Sequence, residues 1–196
     1  RTAVPLAVPE AKRRGSSPER SEGGEGPLVV EVGCGHGWNS EVLARLLGRP
    51  VRYVGLDYSP PMLQMACQSY PGLPFVAGDA ASLPLKDGCC DILLSGTVLM
   101  HVFDYRRAIQ ESRRAARSWC VFHGLPVVRK GPTRMLKKIA YAANEVVELV
   151  FNEEELLDLF RAVGLEIRER FESFPYDLSP LLGESTMHRT ILCRVI

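Results

Sequence analysis

The sequence has almost no net charge. Its 24 Lys and Arg stand against 23 Asp and Glu, a formal excess of +1. A general nucleic-acid footprint needs a clear basic excess, so no nucleic-acid partner is expected. It also lacks a CxxC pair: the cysteines fall at 34, 67, 89, 90, 120 and 193, and no His cluster accompanies them at zinc spacing. No metal centre is expected. Two of the six are adjacent, which suits reduced, mostly buried thiols better than a disulfide framework. There is no apolar run long enough to span a bilayer. The first residues lack the continuous apolar core of a signal peptide. The expectation is therefore a cytoplasmic protein without a membrane partner. The chain opens on Arg1 and not Met, as a fragment or a trimmed chain would. The sequence sets no oligomeric state.

What is present suits one soluble domain. With 196 residues, 46% hydrophobic and 24% charged, the chain can bury about 70% of its unfolded surface without staples. Residues 1–26 are rich in Pro, Gly, Ser, Glu and Arg. Such a stretch buries too little apolar surface to offset its ordering entropy, and it is expected to be flexible.

From Pro27 a rhythm begins. Leu28-Val29-Val30-Glu31-Val32 reads as a buried parallel strand ending in glycines. Asn39 or Ser40 can cap the next helix, and Gly48 can stop it. Val51–Leu56 is a second strand. Ser59 and Pro60 start a second helix. Phe75–Ala77, Cys90–Ser95 and Trp119–His123 continue the strands, with a helix capped by Asp104 before the last. Strands alternating with helices imply a parallel sheet covered on both faces. The end departs from this pattern. Asn152 and Glu155 look like a capping box, and Gly164 a stop. Leu165–Phe171 and Met187–Val195 follow with no crossover helix between them, so they should pair antiparallel. Between the fifth strand and Asn152, residues 129–150 carry Met135, Leu136, Ile139, Ala142, Ala143, Val146 and Val147 at helical spacing. They are expected to form a helical insertion, packed on the body or serving as a lid.

Three motifs carry chemistry. Glu31-Val32-Gly33-Cys34-Gly35-His36-Gly37 follows the first strand and opens a helix. Glycine lets the backbone turn sharply and approach a ligand, and the helix N-terminus offers unpaired N–H groups. A dinucleotide fingerprint would place its third glycine at position 38, where this chain has Trp38. Asp57, ending the second strand, can accept two ribose hydroxyls. Gly78-Asp79-Ala80 follows the third strand. An acid there can accept from adenine's exocyclic amine, and the neighbouring backbone N–H can donate to a ring nitrogen.

In combination and order these motifs, with Leu83-Pro84-Leu85 and Asp91-Ile92-Leu93, resemble the class I S-adenosylmethionine-dependent methyltransferase family, and within it the small-molecule, methyltransferase type 11-like branch. The resemblance spans residues 28–196. It implies an α/β, doubly wound Rossmann-like sheet of seven strands, order 3-2-1-4-5-7-6, with the last antiparallel. It implies S-adenosylmethionine as cofactor, S-adenosylhomocysteine as product and methyl transfer by in-line displacement to a small-molecule acceptor. Gly33, Gly35 and Gly37 would approach the methionine part of the cofactor, with Glu31 in the same set. Asp57 would hold the ribose, Tyr58 and Met62 would flank the adenine, and Asp79 and Ala80 would read its edge. Gly96, Thr97 and His101 would border the cofactor and face the acceptor. The chain departs from the family at Ala116-Arg117-Ser118, where a Lys-Pro-Gly-Gly turn is usual, and in its short segment before the first strand.

A neutral nucleophile also needs a base. His101 after the fourth strand and His123 at the end of the fifth are the candidate catalytic residues, since histidine titrates near neutral pH. His36, inside the glycine loop, is a lesser candidate. Arg129, Lys130, Arg134, Lys137 and Lys138 form a basic cluster that could attract an anionic acceptor or simply be a solvated face. Ser95-Gly96-Thr97-Val98 replaces the Asn/Asp-Pro-Pro-Tyr motif of enzymes that methylate nucleobase amino groups. Two other readings share some of these features: a NAD-dependent oxidoreductase, and a catalytically silent module that binds the cofactor.

Overall fold

Leu28–Val32 forms strand β1, buried along almost its whole length. It lies between β2 (Arg52–Asp57) and β4 (Cys90–Gly96), parallel to both. A strand covered on both faces needs an unbroken apolar run, and Glu31 is the exception discussed below. The computed structural model describes residues 26–140 and 144–196. Residues 1–25 of the expected flexible segment lie outside the described residues.

Helix α1 (Asn39–Leu47) stops at Gly48, which takes the left-handed conformation at φ 59°. Helix α2 (Pro60–Ser69) begins on proline, and β3 (Phe75–Ala77) pairs parallel with β2. A 3₁₀ turn (Leu99–His101) leads to α3 (Tyr105–Ala115). Asp104 caps α3 by accepting from Arg107 N. Strand β5 (Ala116–Val128) is longer than the sequence suggests. Helix α4 (Glu153–Ala162) starts at Asn152, whose side chain accepts from Glu155 N at 3.0 Å. Strand β8 (Leu165–Glu172), the short helix α5 (Ser179–Leu182) and strand β9 (Met187–Val195) complete the chain.

The main sheet runs β3-β2-β1-β4-β5-β9-β8. Strand β9 is antiparallel to both β5 and β8. With β8 and β9 counted as the sixth and seventh main strands, this is the expected order, with the last strand reversed. The core sits under its centre. Phe122 of β5 stacks on Phe160 of α4 at 4.6 Å, with Leu93, Leu165 and Ile191 wholly buried nearby. Each such side chain contributes about 1.5–3 kcal/mol on burial.

Residues 129–150 correct the expectation of a helix. They form the hairpin β6 (Arg134–Ala140) and β7 (Asn144–Asn152), paired antiparallel from Arg134↔Val150 to Ala140↔Asn144. The apolar positions recur at helical spacing, and the adjacent pairs Met135–Leu136 and Val146–Val147 do not alternate as a one-sided strand would, so spacing alone misleads. Tertiary context decides: Leu149, Val150 and Phe151 are all buried, as in a strand covered on both faces. Phe151 and Asn152 extend the sheet beside Val127 and Val128 of β5. The base is stapled, since Asn152 N donates to Thr133 Oγ1 and Asn152 Nδ2 to the Gly131 carbonyl. Ala142 and Ala143, included in the helical reading, lie outside the described residues.

Candidate cofactor and acceptor site

At the C-terminal ends of β1, β2 and β3 the chain leaves a cleft of about 480 Å³. That is a fitting volume for a small-molecule site. Val32 and Leu56 supply apolar wall, and Gly33, Asp57, Asp79 and His101 reach it from four different segments. Ligand clefts of open parallel sheets form at this edge.

The glycine loop is built for close approach. Gly33, Gly35 and Gly37 have φ of 73°, 54° and 86°. A Cβ on Gly33 would lie 2.4 Å from Val98, and one on Gly37 would lie 2.9 Å from the Phe75 ring. Gly33 N and Cys34 N both donate to the Leu56 carbonyl, tying the loop to the end of β2. Burial pushes the Cys34 thiol up to about 12, so it is no nucleophile.

Beneath the loop lies Glu31, 1% exposed. It accepts from Asn39 Nδ2 at 2.6 Å and from the Tyr53 hydroxyl at 2.5 Å. Burial raises its pKa above the usual carboxylate value, against the pull of these two hydrogen bonds. Gly96 is pressed against the pair: a Cβ there would lie 2.9 Å from Glu31 Oε1. Glu31 thus braces the loop from below instead of lining the cleft. Asn39, expected as a helix cap, is spent on Glu31, and Trp38 takes the cap position without a side-chain bond.

Asp57 accepts from Gly35 N with Oδ2 at 2.7 Å and from Ser59 N with Oδ1 at 2.8 Å. Ser59 occupies the helix cap but makes no side-chain cap bond. Each carboxylate oxygen keeps lone-pair capacity for a ligand hydroxyl. Asp79 accepts from Ala81 N at 2.8 Å, which fixes its turn. Tyr58 and Phe103 stand at the rim, 81% and 77% exposed.

The remaining expected residues divide. Ala80 and His101 are part of the wall; Gly35, Gly37, Met62, Gly96, Thr97 and His123 are not. Thr97 holds φ 58°, the one non-glycine positive φ among the described residues, and donates its N–H to the His123 carbonyl at 2.9 Å. His101 Nδ1 lies 2.7 Å from the Val147 carbonyl of β7. His123 Nδ1 lies 2.7 Å from Thr190 Oγ1, and burial lowers its pKa, which favours the neutral ring. His36 is exposed. In the basic cluster Arg134 lies 4.0 Å from Glu184 and Lys137 3.3 Å from Glu145. Sequence reasoning missed Glu148, next in the chain to the Val147 that meets His101, and Tyr176, whose hydroxyl donates to Glu148. The available signal was a lone charge inside Val146-Val147-Glu148-Leu149-Val150-Phe151.

Comparisons with known proteins agree with this geometry. Residues 30–122 match the family described as a methyltransferase domain. A probable phthiotriol/phenolphthiotriol dimycocerosates methyltransferase 2 of Mycobacterium ulcerans is 43% identical over 72 residues, 36% of this chain and 28% of that protein. A probable S-adenosylmethionine-dependent methyltransferase of Mycolicibacterium smegmatis is 28% identical over 148 residues, 70% of this chain and 56% of that protein. The chain therefore spans less than two thirds of either relative. A crystal structure of an S-adenosylmethionine-dependent methyltransferase from Methanosarcina mazei superposes with a TM-score of 0.67 at 19% identity, covering 88% of this chain and 94% of that one. This last likeness speaks for the fold.

Proposed function

Residues 30–122 being a methyltransferase domain of the class I S-adenosylmethionine-dependent family, we propose that the chain transfers a methyl group from S-adenosylmethionine to a small-molecule acceptor. One observation supports the reading: Gly33 of the glycine loop and two acids, Asp57 and Asp79, converge on one cleft of about 480 Å³.

The residues fit the cofactor. Asp57, already oriented by two backbone N–H groups, accepts the ribose hydroxyls through its remaining lone pairs. Asp79 accepts from the adenine amine, and the Ala80 N–H donates to the ring. Tyr58 covers the adenine. The Gly33–Gly37 loop lets the backbone meet the methionine part with no Cβ in the way. When bound, the cofactor supplies a methyl group activated by its sulfonium charge. The protein's task is then to align an acceptor oxygen, nitrogen or carbon with it. Well-oriented reactions gain about 7–11 kcal/mol in this way.

The named relative from Mycobacterium ulcerans supports a lipid-like acceptor. The basic cluster gives little support to an anionic one, because Arg134 and Lys137 are occupied by Glu184 and Glu145.

Calorimetric titration with S-adenosylmethionine, S-adenosylhomocysteine and NAD tests the cofactor. Micromolar binding of the first two and none of NAD is expected. Binding of NAD in their place would overturn the reading in favour of an oxidoreductase.

A further inference from the structure

The buried polar groups that the cofactor cleft leaves unused gather in one place. Glu148 of β7 is 1% exposed and accepts the hydroxyl of Tyr176, in the connector between β8 and β9. His188 of β9 is 2% exposed, and its ring lies 4.2 Å from those of Tyr176 and Phe174. His123 lies 6.1 Å from Phe174 on the far side. Two residues along β9 from His188, on the same side of the strand, Thr190 meets His123. A carboxylate and an imidazole taken out of water in this way cost stability. Groups kept at such a cost concentrate where chemistry is done.

None of the cluster's side chains lines the cofactor cleft, but two backbone contacts tie the cluster to it. Glu148 follows Val147, whose carbonyl meets His101, a wall residue of the cleft. The His123 carbonyl accepts from Thr97, beside Gly96 at the end of β4. The cluster thus lies at the ends of β4 and β5, across from the two acids at the ends of β2 and β3.

The connector that carries Tyr176 has no buried residue from 173 to 185. Hydrogen bonds hold it: Thr186 donates to the Tyr176 carbonyl and accepts from Leu178 N, Ser173 N donates to the His188 carbonyl, and Glu184 accepts from Lys130 N and Gly131 N. Segments with so few buried contacts open at low free energy.

We propose that Glu148 is the acceptor-side carboxylate of the active site, and that Tyr176 holds the place of the acceptor hydroxyl until an acceptor displaces it. This rests on the methyltransferase reading above. The group now seated there gives the chemical class: a hydroxyl on Glu148 with a carbon framework against the His188 ring, so an alcohol or a phenol. In transfer, the acceptor oxygen bonds to the methyl carbon as the carbon–sulfur bond breaks. The electron pair of that bond stays on sulfur, and the hydroxyl proton passes to the Glu148 carboxylate. One positive and one negative charge disappear together.

The test is binding of 4-methylphenol by calorimetry to the full chain saturated with S-adenosylhomocysteine, with 4-methylaniline, an amine uncharged at neutral pH, as control. Tyr176→Phe keeps the ring and removes the competing hydroxyl, so it should bind the phenol several-fold tighter than the wild type. Glu148→Gln is nearly isosteric and should bind it about tenfold or more weaker, the usual loss of a hydrogen bond to a charged group. Equal phenol affinity in all three proteins, or no uptake by Tyr176→Phe at millimolar probe, overturns the proposal. Glu148-dependent preference for the amine overturns the hydroxyl class. Binding of S-adenosylhomocysteine is read in the same titrations. Its absence in the wild type sinks the methyltransferase reading, and this one with it. Its presence, with no Glu148-dependent phenol binding, sinks this one alone.

Discussion

Asp57 Oδ2 accepts the backbone N–H of Gly35 at 2.7 Å. The acid that ends β2 therefore also shapes the loop that ends β1. Asp57→Ala removes the proposed ribose acceptor and frees the loop in one step. Each lost hydrogen bond to a charged group costs about 1.5–3 kcal/mol. Calorimetry should show S-adenosylhomocysteine affinity down at least tenfold, with secondary structure by circular dichroism unchanged.

Glu31 gives a pH signature. Burial raises its folded pKa above the ordinary value of 4.5. Above pH 4.5 the unfolded chain releases this proton first, so the folded state binds more protons. Stability attributable to Glu31 is then present below 4.5 and declines as pH rises through the raised folded value. Glu31→Gln cannot titrate. Denaturant melts across this range should show the wild type losing ground to the variant as pH increases; a constant difference would contradict the assignment.

Thr97 stores strain. A β-branched residue at φ 58° is held against its preference, at a cost of about 1–3 kcal/mol. Glycine adopts that conformation freely but loses more entropy on folding, about 0.5–1 kcal/mol. Thr97→Gly should therefore raise the melting temperature by a few degrees, as scanning calorimetry would record.

Cys89 should be the reactive thiol. A hydrogen bond from Cys90, with Arg114 and Arg117 nearby, holds its pKa below the ordinary thiol value of 9.0. Burial pushes Cys34, Cys120 and Cys193 up. Alkylation by iodoacetamide near neutral pH, followed by peptide mass spectrometry, should label Cys89 faster than the exposed Cys67. Faster labelling of Cys67 would contradict this order.

The parts of the molecule legible in the sequence are those whose signals are local. Asp104 and Asn152 cap their helices through bonds three residues away. Gly33-x-Gly35-x-Gly37 is a backbone requirement written directly in residue type. Asp57 and Asp79 follow from strand ends, and both reach the cleft wall. What sequence could not supply was pairing at a distance. His123 finds Thr190 sixty-seven residues on, which takes its Nδ1. Asn39 finds Glu31 across the loop instead of capping α1. The hairpin was illegible because its apolar residues recur at helical spacing, and only pairing across the hairpin and along β5 overrides it. Glu148 stayed hidden for the same reason: a charge on a presumed helix reads as solvated, whereas on β7 it is enclosed.

The fork at β5 has an evolutionary meaning. Val128 and Asn152 are register partners on neighbouring strands, so the chain leaves for the hairpin and returns at nearly the same point. The outer part of the hairpin, away from Val147 and the buried Leu149, Val150 and Phe151, can be lengthened, shortened or exchanged while the ends stay a strand spacing apart, about 4.8 Å. The cofactor half of the sheet would register no change. Under the proposed function, acceptor choice could then change at the hairpin while the glycine loop, Asp57 and Asp79 stay as they are.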